Sequence, residues 1–136
     1  MLNLNVKLSE LVAATVGIGP QALASATPLT SGWLNMKGYH RVAGVGLITA
    51  LGNTKVLTVQ LMQATSSGGA GAKVLGTAAT VTAVGSQSVT AIAEVEEAAQ
   101  DTTGGFCYVA VRISHNHGSS RDVAALIVRT PYERPA

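Results

Sequence analysis

The two histidines of the segment His115-Asn116-His117 are spaced so that they could share a metal ion. Imidazole is a common zinc ligand, but zinc sites in proteins take three or four protein ligands. No further histidine, cysteine or carboxylate stands at ligand spacing from this pair. The neighbouring Asn, Gly and Ser residues are instead typical of a plain hairpin loop. The sequence therefore predicts no metal site.

Glu94, Glu96 and Glu97 form the densest group of carboxylates in the chain. Paired carboxylates can perform acid–base chemistry or hold a cation. Here Val89, Ala91, Ala93 and Val95 alternate with Thr90, Glu94 and Glu96, which is the period-two pattern of a half-exposed strand. Because the alternation places Glu94 and Glu96 on the solvent side, we predict a solvated strand face and no acid–base site.

The glycine-rich stretch that ends at Lys73 invites comparison with a phosphate-binding loop. Such a loop requires Ser or Thr directly after its lysine, and the residue here is Val74. The flanking pattern is strand–loop–strand, so no helix N-terminus is available to hold a phosphate. We predict a mobile surface loop at this place.

The single cysteine, Cys107, stands beside the apolar run of Tyr108 to Val111. One cysteine cannot form a disulfide within the chain, which is typical of proteins from a reducing compartment. Its surroundings favour a small hydrophobic role over that of a nucleophile. No nucleophile elbow or metal signature positions the Ser, His and Asp residues. We predict a protein that is not an enzyme and has no cofactor.

The composition is unusual for a domain of 136 residues, because 47% of them are hydrophobic and only 12% are charged. With so few charges, we expect part of the uncharged surface to be buried against copies of the chain or a larger partner. The nine Lys and Arg residues are scattered and not interleaved with aromatic residues, so we predict no nucleic-acid binding. The N-terminal stretch is not a convincing signal peptide, and no apolar run is long enough for a membrane span. We predict a soluble, intracellular protein with no membrane contact.

The stretch Arg41 to Ala64 is the clearest structural signal in the chain. It consists of two apolar runs joined by Gly52-Asn53, which is typical of a tight turn in a β-hairpin. In the second run, Leu57, Val59 and Leu61 alternate with Thr58 and Gln60, which predicts a strand with one buried and one solvent-exposed face. The first run is apolar on both faces, and Gly44 and Gly46 leave room for another layer to approach closely.

Similar short runs, separated by turn residues, continue to Val128. The pattern predicts about seven strands and no strong amphipathic helix, hence an all-β fold: an antiparallel β-sandwich of jelly-roll-like form with extended terminal arms. We place the sandwich domain at residues 21–130 and a C-terminal tail at 131–136. Residues 1–20 are either an N-terminal arm that packs on a neighbouring subunit or a first strand.

Three segments resemble a group of small virion structural proteins of tailed bacteriophages. The first is a lead into the hairpin, matched by Gly32, Trp33, Met36, Tyr39 and Arg41. The second follows the hairpin and is matched by Leu61, Gln63, Ala64, Gly69, Gly71, Ala72 and Lys73. The third is the run GGFCYVAVRIS, so the likeness extends over residues 31–114. The resemblance implies a β-sandwich that decorates or cements the outside of an icosahedral head, made in the bacterial cytoplasm and located on the capsid surface of the virion.

The resemblance also implies two partners: the major capsid protein and the chain itself, as a homotrimer in preference to a homodimer. Two alternatives remain open, namely a tail-tube, head–tail connector or adaptor protein, and a small-ligand or carbohydrate-binding β-sandwich. We expect contacts from segments that a compact sandwich does not need, which are the arm, the glycine-rich loop and the tail. The residues concerned are Leu2, Leu4, Val6, Leu8, Ser66, Ser67, Gly69, Gly71, Lys73 and Tyr132.

Overall fold

The computed structural model describes residues 12–96 and 100–131, and these residues form strands, turns and loops but no helix. The strands are β1 Ala13–Leu23, β2 Leu29–Thr30, β3 Leu34–Asn35, β4 Tyr39–Ile48, β5 Val56–Ala64, β6 Lys73–Thr82, β7 Val89–Glu96, β8 Tyr108–His115 and β9 Arg121–Pro131. No helix that is long and apolar enough to cross a membrane occurs in this part of the chain. The predicted all-β class is confirmed, with nine strands in place of about seven.

The strands form two antiparallel sheets that pack face to face. The four-stranded sheet has the order β1-β9-β4-β7. The five-stranded sheet has the order β2-β8-β5-β6, and the short β3 also pairs with β8. Most neighbours in each sheet are distant in sequence, so the chain repeatedly crosses from one sheet to the other. This is the sandwich architecture that the strand spacing predicted.

Period-two alternation determines which residues form the core. In β8, Val109, Val111 and Ile113 are fully buried, and Leu57, Val59 and Leu61 of β5 lie on the same inner face. From the four-stranded sheet, β4 and β9 contribute the other half of the core: Val42, Ile48, Val123, Ala125 and Ile127. The core contains no buried aromatic ring among the described residues, and the branched aliphatic side chains fill it instead.

Two glycines of β4 let the sheets approach closely. A Cβ atom on Gly46 would overlap Cγ2 of Val59 and lie 3.0 Å from Cδ1 of Ile113. A Cβ atom on Gly44 would lie 2.8 Å from Cγ2 of Val111. The inner face of β4 is therefore in backbone contact with side chains of the opposite sheet, as the sequence predicted.

The predicted hairpin between β4 and β5 is wrong. Strand β4 pairs with β7 and β9, whereas β5 pairs with β6 and β8, so the two strands belong to different sheets. The chain between them contains three residues with positive φ: Ala50 (46°), Gly52 (97°) and Thr54 (65°). Leu51 is fully buried, and its N–H donates to the carbonyl of Gln87 at 2.8 Å. Because Leu51 is buried, the connection runs across the end of the sandwich from one sheet to the other. A two-residue turn is too short for that crossing.

The solvent-exposed face predicted for β5 is wrong at Gln60, which is only 8% exposed. Between the pairs Val59–Ala79 and Leu61–Leu75, β6 advances four residues while β5 advances two. The extra chain forms a bulge, and Nε2 of Gln60 donates to the carbonyls of Leu61 at 2.7 Å and Leu75 at 3.1 Å. The amide side chain lies at the bulge and donates to backbone carbonyls on both strands there.

The strand limits differ from the predicted domain limits at both ends of the sandwich. Strand β1 extends through residue 20 to Leu23, because residues from Ala13 to Leu23 pair with β9. The register of this pairing shifts at two places along the strand. Strand β9 includes Pro131, the first residue of the predicted tail. The remainder of the predicted arm, residues 1–11, and of the tail, residues 132–136, lies outside the described residues.

Candidate functional site

The outward face of the four-stranded sheet is apolar and exposed. Register places Val16, Leu126, Val45 and Ile92 in one row across all four strands. Side chains directly opposite each other in antiparallel strands point to the same side of the sheet. Val16 is 64% exposed and Ile92 58% exposed, while Val45 and Leu126 between them are half-buried. The row is a stripe of branched aliphatic side chains that the fold itself does not cover.

Neighbouring rows widen this stripe into a patch. On one side, Ala14, Val128 and Ala43 are opposite one another, and on the other side Ala124 is opposite Leu47, which is 41% exposed. We call the following residues the outer apolar face: Ala14, Val16, Ala43, Val45, Leu47, Ile92, Ala124, Leu126 and Val128. A contiguous apolar patch on the surface of a soluble protein is often a site of contact with another molecule.

The ends of the outer apolar face carry charged side chains. Arg41 lies between Glu94 and Glu96, with Nη1 3.6 Å from Oε1 of Glu94 and Nη2 2.7 Å from Oε1 of Glu96. All three side chains are at least 45% exposed, so these ion pairs contribute little to folding stability. Asp122 is exposed at the opposite end. With three carboxylates against one guanidinium, this rim is acidic on a chain whose net charge is +2.

A shallow pocket of about 210 Å³ adjoins the face at its Asp122 end. Leu47, Thr90 and Ala124 line it together with Pro20 of β1. No aromatic residue lines the pocket, although stacking on aromatic rings is the usual means of holding a sugar in an open site. The pocket therefore lacks the ring platform of an open sugar site, and its Leu47 and Ala124 side chains continue the outer apolar face.

The predicted contact residues of the glycine-rich loop lie in the hairpin between β5 and β6. Both the N–H and the hydroxyl of Thr65 donate to the carbonyl of Ala70 at 3.0 Å, and the hydroxyl of Ser66 accepts from the N–H of Ala70 at 3.2 Å. Gly69 has a φ of 84°, and a Cβ atom there would lie 2.5 Å from Nε1 of Trp33. The loop, which includes the exposed Ser67 and Gly71, packs on Trp33 at one end of the sandwich.

Lys73, also among the predicted contact residues, is held by two neighbours. Its Nζ atom is 2.7 Å from Oδ2 of Asp101 and 4.1 Å from the centroid of the Phe106 ring. The other oxygen of Asp101 accepts the N–H of Gly104 at 2.9 Å. The hydrogen bond from Lys73, followed by that from Gly104, holds the pKa of Asp101 below its ordinary value.

The stabilising effect of the Asp101 carboxylate is expected to disappear in acid. Because the pKa is lowered in the folded state, the contribution is complete above the pKa of the unfolded chain, about 3.9, and is lost as the pH falls through the folded pKa. We expect the amide proton of Gly104 to exchange faster with solvent below that pKa, after correction for intrinsic exchange. Amide exchange followed by NMR in an acid series measures this, and Asp101→Asn is the control that removes the transition. Unchanged protection of Gly104 throughout would contradict the prediction.

The two histidines considered as metal ligands have other partners. His115 is 3% exposed, and its Nε2 is 2.8 Å from the carbonyl of Leu23, to which it donates. Its Nδ1 accepts the N–H of His117 at 3.1 Å. Both ring nitrogens of His115 are therefore used within the fold. The loop containing them connects β8 to β9, which lie in different sheets, so the predicted hairpin is wrong here too. Among residues 12–96 and 100–131, no group of three or more His, Cys, Asp or Glu side chains could hold a metal ion.

The structure does not bring the predicted contact residues together. Ser66, Ser67, Gly69, Gly71 and Lys73 lie in one hairpin, while Leu2, Leu4, Val6, Leu8 and Tyr132 lie outside the described residues, as does Glu97 of the carboxylate group. The outer apolar face was not predicted as a site. Its one signal in the sequence is that the first run is apolar on both faces of the strand, without interruption from Val42 to Ile48.

No protein-family model and no curated protein matches this chain. Its fold is similar to that of a chain in the structure of infectious bursal disease virus, Gx strain, with 8% identity over 89% of this chain and a TM-score of 0.57. This chain spans 32% of that longer one. It is also similar to the globular domain of zebrafish complement 1qA protein, with 12% identity, 92% of this chain and 99% of that chain covered, and a TM-score of 0.50. At such identities the likenesses show the β-sandwich fold alone.

Proposed function

We propose that this chain is a non-enzymatic virion structural protein that binds the outside of an icosahedral bacteriophage head and stabilises contacts between major capsid subunits. The observation that carries the proposal is the outer apolar face, an exposed apolar surface suited to contacts within a protein assembly, on a chain with few charges overall. A β-sandwich that bridges subunits needs broad, flat contact surfaces and has no need of a catalytic pocket.

Two further observations and one physical argument support an assembly role. The fold is similar to part of a chain in a virus structure. Repetition on a shell would strengthen a contact that is weak in a single copy, since many linked contacts act together. The resemblance of three segments to phage virion proteins is the reason for proposing a bacteriophage head as the site of assembly.

The proposal predicts saturable binding to heads. Purified protein added to heads of the encoding phage that lack it is expected to sediment with them at a fixed ratio to the major capsid protein. Bound protein should raise the melting temperature of the heads, because it is released when capsid subunits separate. Heads already carrying the protein are the control, since their sites are occupied. Saturating protein that neither sediments with empty-site heads nor changes their melting would disprove the proposal.

The same preparation also tests the alternative that the chain is a tail-tube, connector or adaptor protein. A tail-tube, connector or adaptor protein is expected to form rings or tubes, whereas a decoration protein forms a small discrete oligomer before it binds a shell. Light scattering, combined with electron micrographs of the same fraction, distinguishes these two results. Rings or tubes of many subunits would instead favour a tail-tube, connector or adaptor protein.

A further inference from the structure

We propose that the outer apolar face receives residues Leu2 to Leu8 of a second copy of this chain. This inference concerns self-association and does not depend on binding to a phage head. Four observations carry it: the size of the face, the residue pattern of the segment, the chain between the segment and β1, and the charges on each side.

The face is too small to hold two copies together by itself. Four strands about 4.8 Å apart and three rows of side chains give an area on the order of 400 Å². A stable contact between proteins buries roughly 800 Å² on each partner. Direct stacking of two such faces would therefore leave a weak contact, and the acidic rims would meet each other. An additional segment that lies on the face enlarges the contact and covers the exposed Val16 and Ile92.

The residue pattern of the segment is suited to binding on an apolar surface. Leu2, Leu4, Val6 and Leu8 alternate with Asn3, Asn5 and Lys7. In an extended chain, this alternation places all four aliphatic side chains on one side and the polar ones on the other. Its six residue steps span about 20 Å, which matches the roughly 20 Å extent of the face.

The chain between Leu8 and β1 favours a neighbouring copy over the same one. Strand β1 begins at Ala13, opposite Arg129, at the end of the sheet where Arg41 and Glu96 lie. To reach the face of its own sheet, the segment would have to reverse direction within residues 9–12. These residues are Ser-Glu-Leu-Val, of which only Ser9 is of a type that tight reversals favour, and they include no Gly, Pro, Asn or Asp. An extended continuation would instead carry Leu2 to Leu8 away from the parent sheet.

Charge is complementary between the two surfaces. The rim of the face has an excess of carboxylates from Glu94, Glu96 and Asp122 over Arg41. Lys7 is the one charged residue between Leu2 and Leu8. The charge of Lys7 is attracted to this rim even from the polar side of the segment, whereas two copies of the rim repel each other.

The mass of the purified protein in solution tests the proposal. By light scattering, the wild-type chain is expected to have at least twice the 13.8 kDa mass of one copy. Leu4→Asp with Val6→Asp should reduce the mass to that of one copy, because two carboxylates would face an apolar and acidic surface. Asn3→Asp with Asn5→Asp adds the same charge to the polar side of the segment. This variant loses the attraction to the acidic rim but keeps the apolar contact, so its mass should stay above that of one copy. Ile92→Asp, on the receiving face, should act like the first pair. Thermal melting of each variant checks that the sandwich is folded.

A photo-crosslink identifies the copy that receives the segment. Unlabelled protein with p-benzoylphenylalanine in place of Leu4 is mixed with ¹⁵N-labelled wild type, irradiated and digested. We expect crosslinked peptides from β1, β4, β7 or β9 of the labelled copy. Crosslinks confined to the unlabelled chain, or to the five-stranded sheet, would overturn the proposal, as would a wild-type mass of one copy or equal masses for the two double variants. Head binding by a monomeric wild type would overturn only this inference, and an oligomer that ignores heads would overturn only the proposed function.

Discussion

Replacement of Gly46 by alanine is expected to lower the free energy of unfolding by about 1–2 kcal/mol. A methyl group at this position would overlap Cγ2 of Val59 and press on Ile113, both of which are fully buried in the opposite sheet. Overpacking of a core typically costs 1–3 kcal/mol. Alanine also restricts the unfolded chain, which restores about 0.5–1 kcal/mol. The steric cost exceeds this gain because Val59 and Ile113 are paired on adjacent strands and both are fully buried, so neither can move into solvent.

Urea unfolding of Gly46→Ala against wild type measures this loss. Gly19→Ala is the matched control, because Gly19 is also in a strand and a Cβ atom there would have no neighbour within 4 Å. The control should have a free energy of unfolding equal to or above that of wild type. Equal stabilities for the two variants would show that the sheets can separate at Gly46 without cost, and the close approach would not be a constraint.

The inner faces of the strands could be predicted from the sequence because burial on one side leaves a period of two. Leu57, Val59 and Leu61 were assigned to the buried face of a strand from this pattern alone, and they are fully buried. The close approach at Gly46 was also predictable, since two glycines on one face of an apolar strand leave room for another layer. These features depend on residues that are neighbours in the chain.

The connection between β4 and β5 could not be predicted in the same way. Gly52-Asn53 indicates that the chain changes direction, and the same residues fit a tight hairpin and a crossing between sheets. The difference depends on where Leu51 is buried and on its hydrogen bond to Gln87, 36 residues further along the sequence. A pattern confined to the turn carries no information about that contact.

The outer apolar face was missed for a related reason. Its central row joins Val16, Val45, Ile92 and Leu126, which lie on four strands that are not consecutive in the chain. In the sequence each is one aliphatic residue among many. Only the register of the sheet makes them neighbours, so the low charge content predicted that a contact surface exists but not where it lies.

Replacement of Gln60 by glutamate is expected to have the larger effect, with a loss of about 3–5 kcal/mol near neutral pH. The amide of Gln60 donates to the carbonyls of Leu61, Leu75 and Gly76, at 2.7, 3.1 and 3.4 Å. A glutamate of the same shape would direct a buried negative charge at three carbonyl oxygens and would have no proton to donate. Burial and these dipoles would raise the pKa of the new carboxyl above its value of about 4.3 in the unfolded chain.

The pH dependence distinguishes this mechanism from a simple packing defect. Because the folded variant holds its proton to a higher pH than the unfolded one, its stability relative to wild type falls as the pH rises between the two pKa values. Below about pH 4 the protonated carboxyl can donate to one carbonyl, and the loss should shrink to about 1–2 kcal/mol. Urea unfolding of both proteins from pH 3 to pH 8 gives the difference directly. Gln87→Glu is the matched control, since Gln87 is exposed and its side-chain oxygen accepts the N–H of Val84, as a carboxylate also would. A small, pH-independent loss for Gln60→Glu would mean that the side chain leaves the bulge for solvent, and that the bulge of β6 is held by its backbone alone.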